Sequence, residues 1–342
     1  MLLVIIAVFM RCKDKATGPI IGGNYALCYE KLSNGRWQIF TNNIAGTAPH
    51  NISNCPGDAE YPRWSPDGRY IVYSHRQAVV VYDTKTRANA ILTDDSIDAG
   101  LEPGWTPDGK ILYFARNRYD VHDSGAMYVM NVNGGQKKKI LNLRAQIYFY
   151  NDSYNFLYVV DYTKVYIGNV NSTAGEFLFD ISEVLNQQVV VQGFNPLTEE
   201  LLITPTATDG KRSIATYGVR TRGLSILLTA EEGYTFFQVK YSKDFRKIAF
   251  VEHSGNDEYL SVLENGVKKR LLRIPKTTPP VYFSYDPMEF SPDGKYIAFS
   301  EQIFHTGQWV TFSTPLFITD VTNATVWRIE EEAHGPSWNP RP

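Results

Sequence analysis

Apolar positions along the chain fall in short β-type runs punctuated by turn residues. Three runs are clearest: Tyr70-Ile71-Val72-Tyr73, Ile111-Leu112-Tyr113-Phe114 and Tyr296-Ile297-Ala298-Phe299. Each follows a near-identical pentapeptide, Trp64-Ser65-Pro66-Asp67-Gly68, Trp105-Thr106-Pro107-Asp108-Gly109 or Phe290-Ser291-Pro292-Asp293-Gly294. Proline sets φ for a tight turn, aspartate bonds the backbone ahead of it, and glycine takes the positive φ that closes the turn. The pentapeptide therefore predicts a strand-to-strand turn, with Asp67, Asp108 and Asp293 as turn formers rather than catalytic acids. A sustained helical period is missing throughout; only Ile181 to Gln187 predicts one or two helical turns.

Worn copies fill the gaps: Tyr150-Asn151-Asp152-Ser153, Phe194-Asn195-Pro196-Leu197, Tyr241-Ser242-Lys243-Asp244 and Trp338-Asn339-Pro340. The seven aromatic anchors stand 41 to 49 residues apart. A period of about 45 residues with four strand signals is that of a β-propeller blade. The pattern predicts an all-β, seven-bladed propeller, with six blades as the fallback if one worn repeat is not a blade. The first blade, Tyr25 to Glu30, Trp37 to Thr41 and His50 to Ser53, lacks its innermost strand. The chain ends on an innermost strand and turn with no blade after it. Docking that last strand into the first blade closes the ring and removes its open edges.

Composition narrows the function classes. A net charge of −2 gives no electrostatic case for nucleic acid. Leu2 to Met10 is an apolar stretch of nine residues, too short to span a bilayer and suited to a signal sequence. Cys12 follows it, and the polar 13–23 stretch reads as a tether. The expected organisation is a signal segment over 1–12, that tether, and one propeller over 24–342. Cys28 and Cys55, both in the first blade, leave two readings open: a disulfide, or two buried thiols.

The pentapeptides and the strands after them resemble the WD-like repeat of TolB-type β-propellers, over roughly residues 25 to 342. The N-terminal arrangement resembles a bacterial lipoprotein signal, with Cys12 as the lipidated residue. These resemblances imply an exported propeller, periplasmic or anchored to the outer membrane, that acts by contact with a protein or cell-envelope partner. Carbohydrate is a further partner class, and membrane contact is through the lipid anchor only. The same repeats precede the catalytic domain of prolyl-oligopeptidase-type peptidases, but no G-x-S-x-G elbow or H-E-x-x-H occurs in this chain.

Propeller geometry puts the pentapeptide turns on one face and the longer connections on the other, where function is expected. Two long connections stand out, Arg116 to Asp123 and Phe304 to Thr314. Arg118, Tyr119, His122, Phe304 and Trp309 supply the charged and aromatic side chains of a contact surface. No cofactor is expected on this reading. The alternative is a metal-dependent polysaccharide lyase or hydrolase. It would hold a divalent metal at the channel mouth through His75, His253, His305 and His334, with Glu60 or Glu102 beside them.

Overall fold

The structure, a computed structural model, describes residues 26–93, 99–116, 125–150, 154–255, 257–275, 281–283, 288–305, 311–313 and 315–341. Seven antiparallel sheets succeed one another as the blades of a propeller. Blade two shows the plan: Ala59–Trp64, Tyr70–His75, Ala78–Asp83 and Ala88–Ile91, hydrogen-bonded in that order from the centre outward. Blades three to six repeat it.

The two ends of the described chain meet in blade one. Its order from the rim inward is His50–Asn51, Arg36–Asn42, Leu27–Ser33 and finally Ala333–Trp338. Leu27 lies opposite Trp338 and Glu30 opposite His334. The C-terminal strand thus supplies the missing innermost strand, as the repeat pattern predicts. Side chains tie the seam further: Tyr29 Oη donates to Glu330 Oε1 at 2.9 Å, and Lys31 Nζ meets Glu330 Oε2 at 2.7 Å. Trp327 Nε1 reaches from blade seven to the Ile44 carbonyl of blade one at 2.9 Å.

The second strands are buried on both faces, which explains why their sequences are almost wholly apolar. In blade three Ile111, Tyr113 and Ala115 pack with Val72, Val79 and Val81 of blade two. The intervening Phe114 packs with Phe156 and Tyr158 of blade four. In blade seven Tyr296 and Ala298 face Leu27 and Tyr29 of blade one, whereas Ile297 and Phe299 face Val251 and Val262 of blade six. The apolar clusters therefore sit between blades, one at each junction. This is the two-sided burial that gives near-continuous hydrophobic runs in place of alternation.

The repeated aspartates are turn formers. Ser65 Oγ donates to Asp67 Oδ1 at 2.6 Å, and that carboxylate accepts the Arg69 N–H at 3.0 Å. Tyr70 N–H then donates to Ser65 Oγ at 2.8 Å. Asp293 repeats these contacts with Ser291 and Lys295, and Gly68, Gly109 and Gly294 all take positive φ. Burial pushes the Asp67 carboxyl up, but the Ser65 and backbone hydrogen bonds outweigh it and hold it below the ordinary value. The worn copy Ser242-Lys243-Asp244-Phe245 keeps the serine–aspartate bond at 2.6 Å and puts Phe245 at φ 60° where the others have glycine. The one helix among the described residues, Ile181–Leu185, lies where the sequence predicts it. Asp180 caps its start, accepting from the Ser182 N–H, and left-handed Asn186 ends it.

Removing Gly335 through Pro342 should abolish cooperative thermal unfolding, because it strips the inner edge of blade one and uncovers its junction with blade seven. Trp338→Ala, which deletes a buried indole, should cost about 3–5 kcal/mol. Melting followed by circular dichroism and calorimetry checks both. A truncated chain that melts as sharply and as high as the full one would overturn the closure.

Candidate functional site

The innermost strands build a central channel, and a shared irregularity shapes it. In blades two, three and six these strands carry a register shift, between Glu60 and Arg63, Leu101 and Gly104, and Phe237 and Lys240. At each shift the residue three before the anchor aromatic takes positive φ: Tyr61, Glu102 and Gln238. Gly335 does the same before Trp338 in blade one, where a Cβ would come within 2.9 Å of Glu30 Oε1. Such bulges re-aim the side chains that follow them. The residue just before each anchor then turns to the channel: Arg63, Gly104, Lys240 and Ser337, joined by Glu289 of blade seven.

These residues line a cavity of about 550 Å³ walled by Trp64, Trp105, Tyr241, Phe290 and Trp338. Its rim includes Pro66, Pro292 and Pro340 of the repeat turns, so it opens on the repeat-turn face. Two indoles hold the ring around it. Trp105 Nε1 donates to the Arg63 carbonyl and Trp338 Nε1 to the Glu289 carbonyl, both at 2.9 Å. Each clips one blade to the inner strand of the blade before it.

Charge in the cavity is uneven. Burial pushes the Glu289 carboxyl up to about 7 from an ordinary 4.5, against the pull of Arg63, the Trp338 backbone N–H, Lys240 and Lys243. Burial lowers the Lys240 ammonium, Arg63 lowers it further, and Glu289 opposes both. At the mouth Glu102 is paired with Arg144. Glu102 therefore belongs to an inner strand, Ala99–Trp105, and to the repeat-turn face, not to a loop of the opposite face. Nothing in the local sequence marks Arg63, Lys240 or Glu289; their one signal is position, immediately before a repeat aromatic.

Of the residues singled out from the sequence, those described stand on different blades. Arg118, Tyr119, His122, Trp309 and Cys12 lie outside the described residues. The connection expected from Phe304 begins as strand: Tyr296–His305 overruns its blade, and Phe304 pairs with Phe312. His253 Nδ1 lies 2.7 Å from Glu258 Oε1 on blade six. His334 sits in blade one, edge-on to Trp37 at 4.4 Å and 3.7 Å from Glu30. His75 ends the second strand of blade two, and His305 that of blade seven. Glu60 feels His334, yet among the described residues no group of three histidine, cysteine, aspartate or glutamate side chains could hold a metal ion. Cys28 and Cys55 share one apolar cluster but are free thiols, so no disulfide joins them. Cys28 is fully buried, and Cys55 Sγ is turned to the Gly57 carbonyl at 3.2 Å.

Solved structures share this architecture. TolB from Acinetobacter baumannii superposes with a TM-score of 0.52 at 16% identity, covering 94% of this chain and 68% of that one. The fold is that of a TolB-like β-propeller. The propeller domain of the Trilobed protease from Pyrococcus furiosus, which has an open velcro topology, gives a TM-score of 0.60 at 14% identity over 91% and 96% of the two chains. Oligogalacturonate lyase in complex with manganese gives 0.57 at 11% identity over 89% and 83%. At these identities the likeness is one of fold. Among curated proteins, 74 residues of the TolB-like propeller are 36% identical to the Tol-Pal system protein TolB of Nitratidesulfovibrio vulgaris, 17% of each chain. A further match, 27% identical over 92 residues, is to the uncharacterized peptidase YuxL of Bacillus subtilis, 24% of this chain and 14% of the peptidase. The aligned parts span less than a fifth of either curated relative. No protein-family model matches the chain.

Glu289 carries a pH signature for this TolB-like propeller. A carboxyl raised from 4.5 to about 7 by folding adds stability that is fully present below pH 4.5 and lost as pH rises to about 7. Glu289→Gln, which stays neutral, should therefore be the more stable protein at pH 8, by about 2–3 kcal/mol. The gap should close toward pH 4.5, as read from melting temperatures across that range. A gap independent of pH would remove Glu289 from this role.

Proposed function

We propose that this chain is a non-catalytic recognition propeller of the bacterial cell envelope that binds a protein partner through its long-loop face. One observation supports this reading most. The second strand of blade seven, Tyr296–His305, runs beyond its own sheet on that face and pairs with two extra strands, Val281–Phe283 and Thr311–Ser313. An added three-stranded platform serves no purpose in closing a ring, and it extends the sheet beyond the blade. Phe304 stands on it, and Arg118, Tyr119, His122 and Trp309 complete the proposed contact surface. The matched segment of a Tol-Pal system protein supports a protein partner in the envelope.

Alanine at Arg118, Tyr119, His122, Phe304 and Trp309 together should abolish capture of the envelope partner by affinity purification, with melting behaviour unchanged. Capture that survives all five changes would place the interface elsewhere. Retention on polysaccharide but on no protein would replace the partner class. A stoichiometric transition metal in the purified protein would favour the lyase or hydrolase alternative instead. Anchoring is proposed through Cys12: Cys12→Ser should move the protein from the membrane fraction to the soluble one and end incorporation of labelled fatty acid.

A further inference from the structure

We propose that the cavity on the repeat-turn face binds a small organic carboxylate, its acid group drawn to Arg63 and Lys240 and its apolar body lying against Trp64, Trp105 and Trp338. This is independent of the partner reading, which concerns the opposite face.

The argument begins with unmatched charge. Arg63, Lys240 and Lys243 line one cavity, and among the described residues none of them forms an ion pair. Elsewhere in blade six, by contrast, Lys268 and Arg270 reach Glu252, each at 2.9 Å, and Arg273 reaches Asp257 at 2.9 Å. Cations gathered in a walled channel repel one another more strongly than in water, and an entering anion relieves that cost. The carboxylates present do not supply it. Glu102 is engaged by Arg144 at the mouth, and burial raises Glu289 to about 7, so that it carries its proton at pH 6.

Shape and chemistry narrow the class. About 550 Å³ suits a small organic molecule. Indole and phenyl walls would stay unsatisfied against a bare inorganic ion, and a guanidinium fork matches a carboxylate. Groups facing Glu289 are Arg63 of blade two, Lys240 and Lys243 of blade six, and Cys28 with the Trp338 N–H of blade one. No histidine is among them. A bound anion therefore couples to the proton on Glu289, and affinity should fall about tenfold from pH 6 to pH 8.

The test uses benzoate and adipate as organic carboxylates and sulfate as a charge without a body. Binding to the full chain is followed by tryptophan fluorescence and calorimetry at pH 6 and pH 8. Saturable binding of benzoate or adipate is expected, with sulfate at least tenfold weaker and the stated fall with pH. Arg63→Met and Lys240→Met should each weaken binding tenfold or more, and Glu289→Gln should bind equally at the two pH values. Absence of saturable organic binding, sulfate as tight as either acid, or folded methionine variants that bind as before would overturn the site. The unmodified protein alone decides if a variant does not fold: equal affinity at pH 6 and pH 8 also overturns it.

Discussion

A four-stranded sheet that is apolar on both faces is stable only between two others, and that constraint governs this molecule. Each second strand sends alternate residues to its two neighbours, as Ile111 and Phe114 do, so no blade owns a core. The apolar surface is buried only when the array returns to its start. Ala333–Trp338 makes that return, and its pairing with Leu27–Ser33 leaves neither terminal blade exposed on one side. Hydrogen bonds from Trp327 and Trp338 cross the same junction, so the seam is fastened by directional contacts as well as by area.

Ring closure also determines what the centre can be. Seven inner strands converge there, and regular strands would crowd one another with side chains. Bulges at Tyr61, Glu102 and Gln238, with Gly335 in blade one, twist these strands and set the residue before each anchor toward the axis. Some of those positions carry no bulk, as at Gly104; others carry charge, as at Arg63, Lys240 and Glu289. The cavity is thus a by-product of packing at some blades and a chemical environment at others.

Much of the architecture is legible in the sequence. The anchor spacing revealed the blade number because an aromatic and a turn recur at every blade, and even where proline and glycine are lost Ser242-Lys243-Asp244 retains the serine–aspartate bond. The seam was legible from an inner strand lacking at one end and spare at the other. The channel was not. Arg63, Lys240 and Glu289 are far apart in the chain, and a charged residue near a strand end ordinarily reads as solvated. Only the ring brings them together. The partners of the histidines were not legible either, because strand ends on different blades meet different neighbours: His253 meets Glu258, and His334 meets Trp37 and Glu30. The connection expected from Phe304 begins as sheet, because Val281–Phe283 and Thr311–Ser313 pair with the end of Tyr296–His305, a pairing that no local sequence signal marks.

Within each repeat, then, two kinds of residue sit side by side under different demands. The aromatic anchor and the turn after it must satisfy backbone groups and clip one blade to the next, so their chemistry is constrained wherever the fold recurs. In five blades the residue before the anchor faces the channel, and the fold accommodates arginine, glycine, lysine, glutamate or serine there, whereas Phe149 of blade four packs with Phe156. Superposition at 11–16% identity shows a common fold and says nothing of the residues at these channel positions. What distinguishes this propeller chemically therefore resides in positions the repeat leaves free. A change there alters charge at the centre without disturbing the ring that holds it.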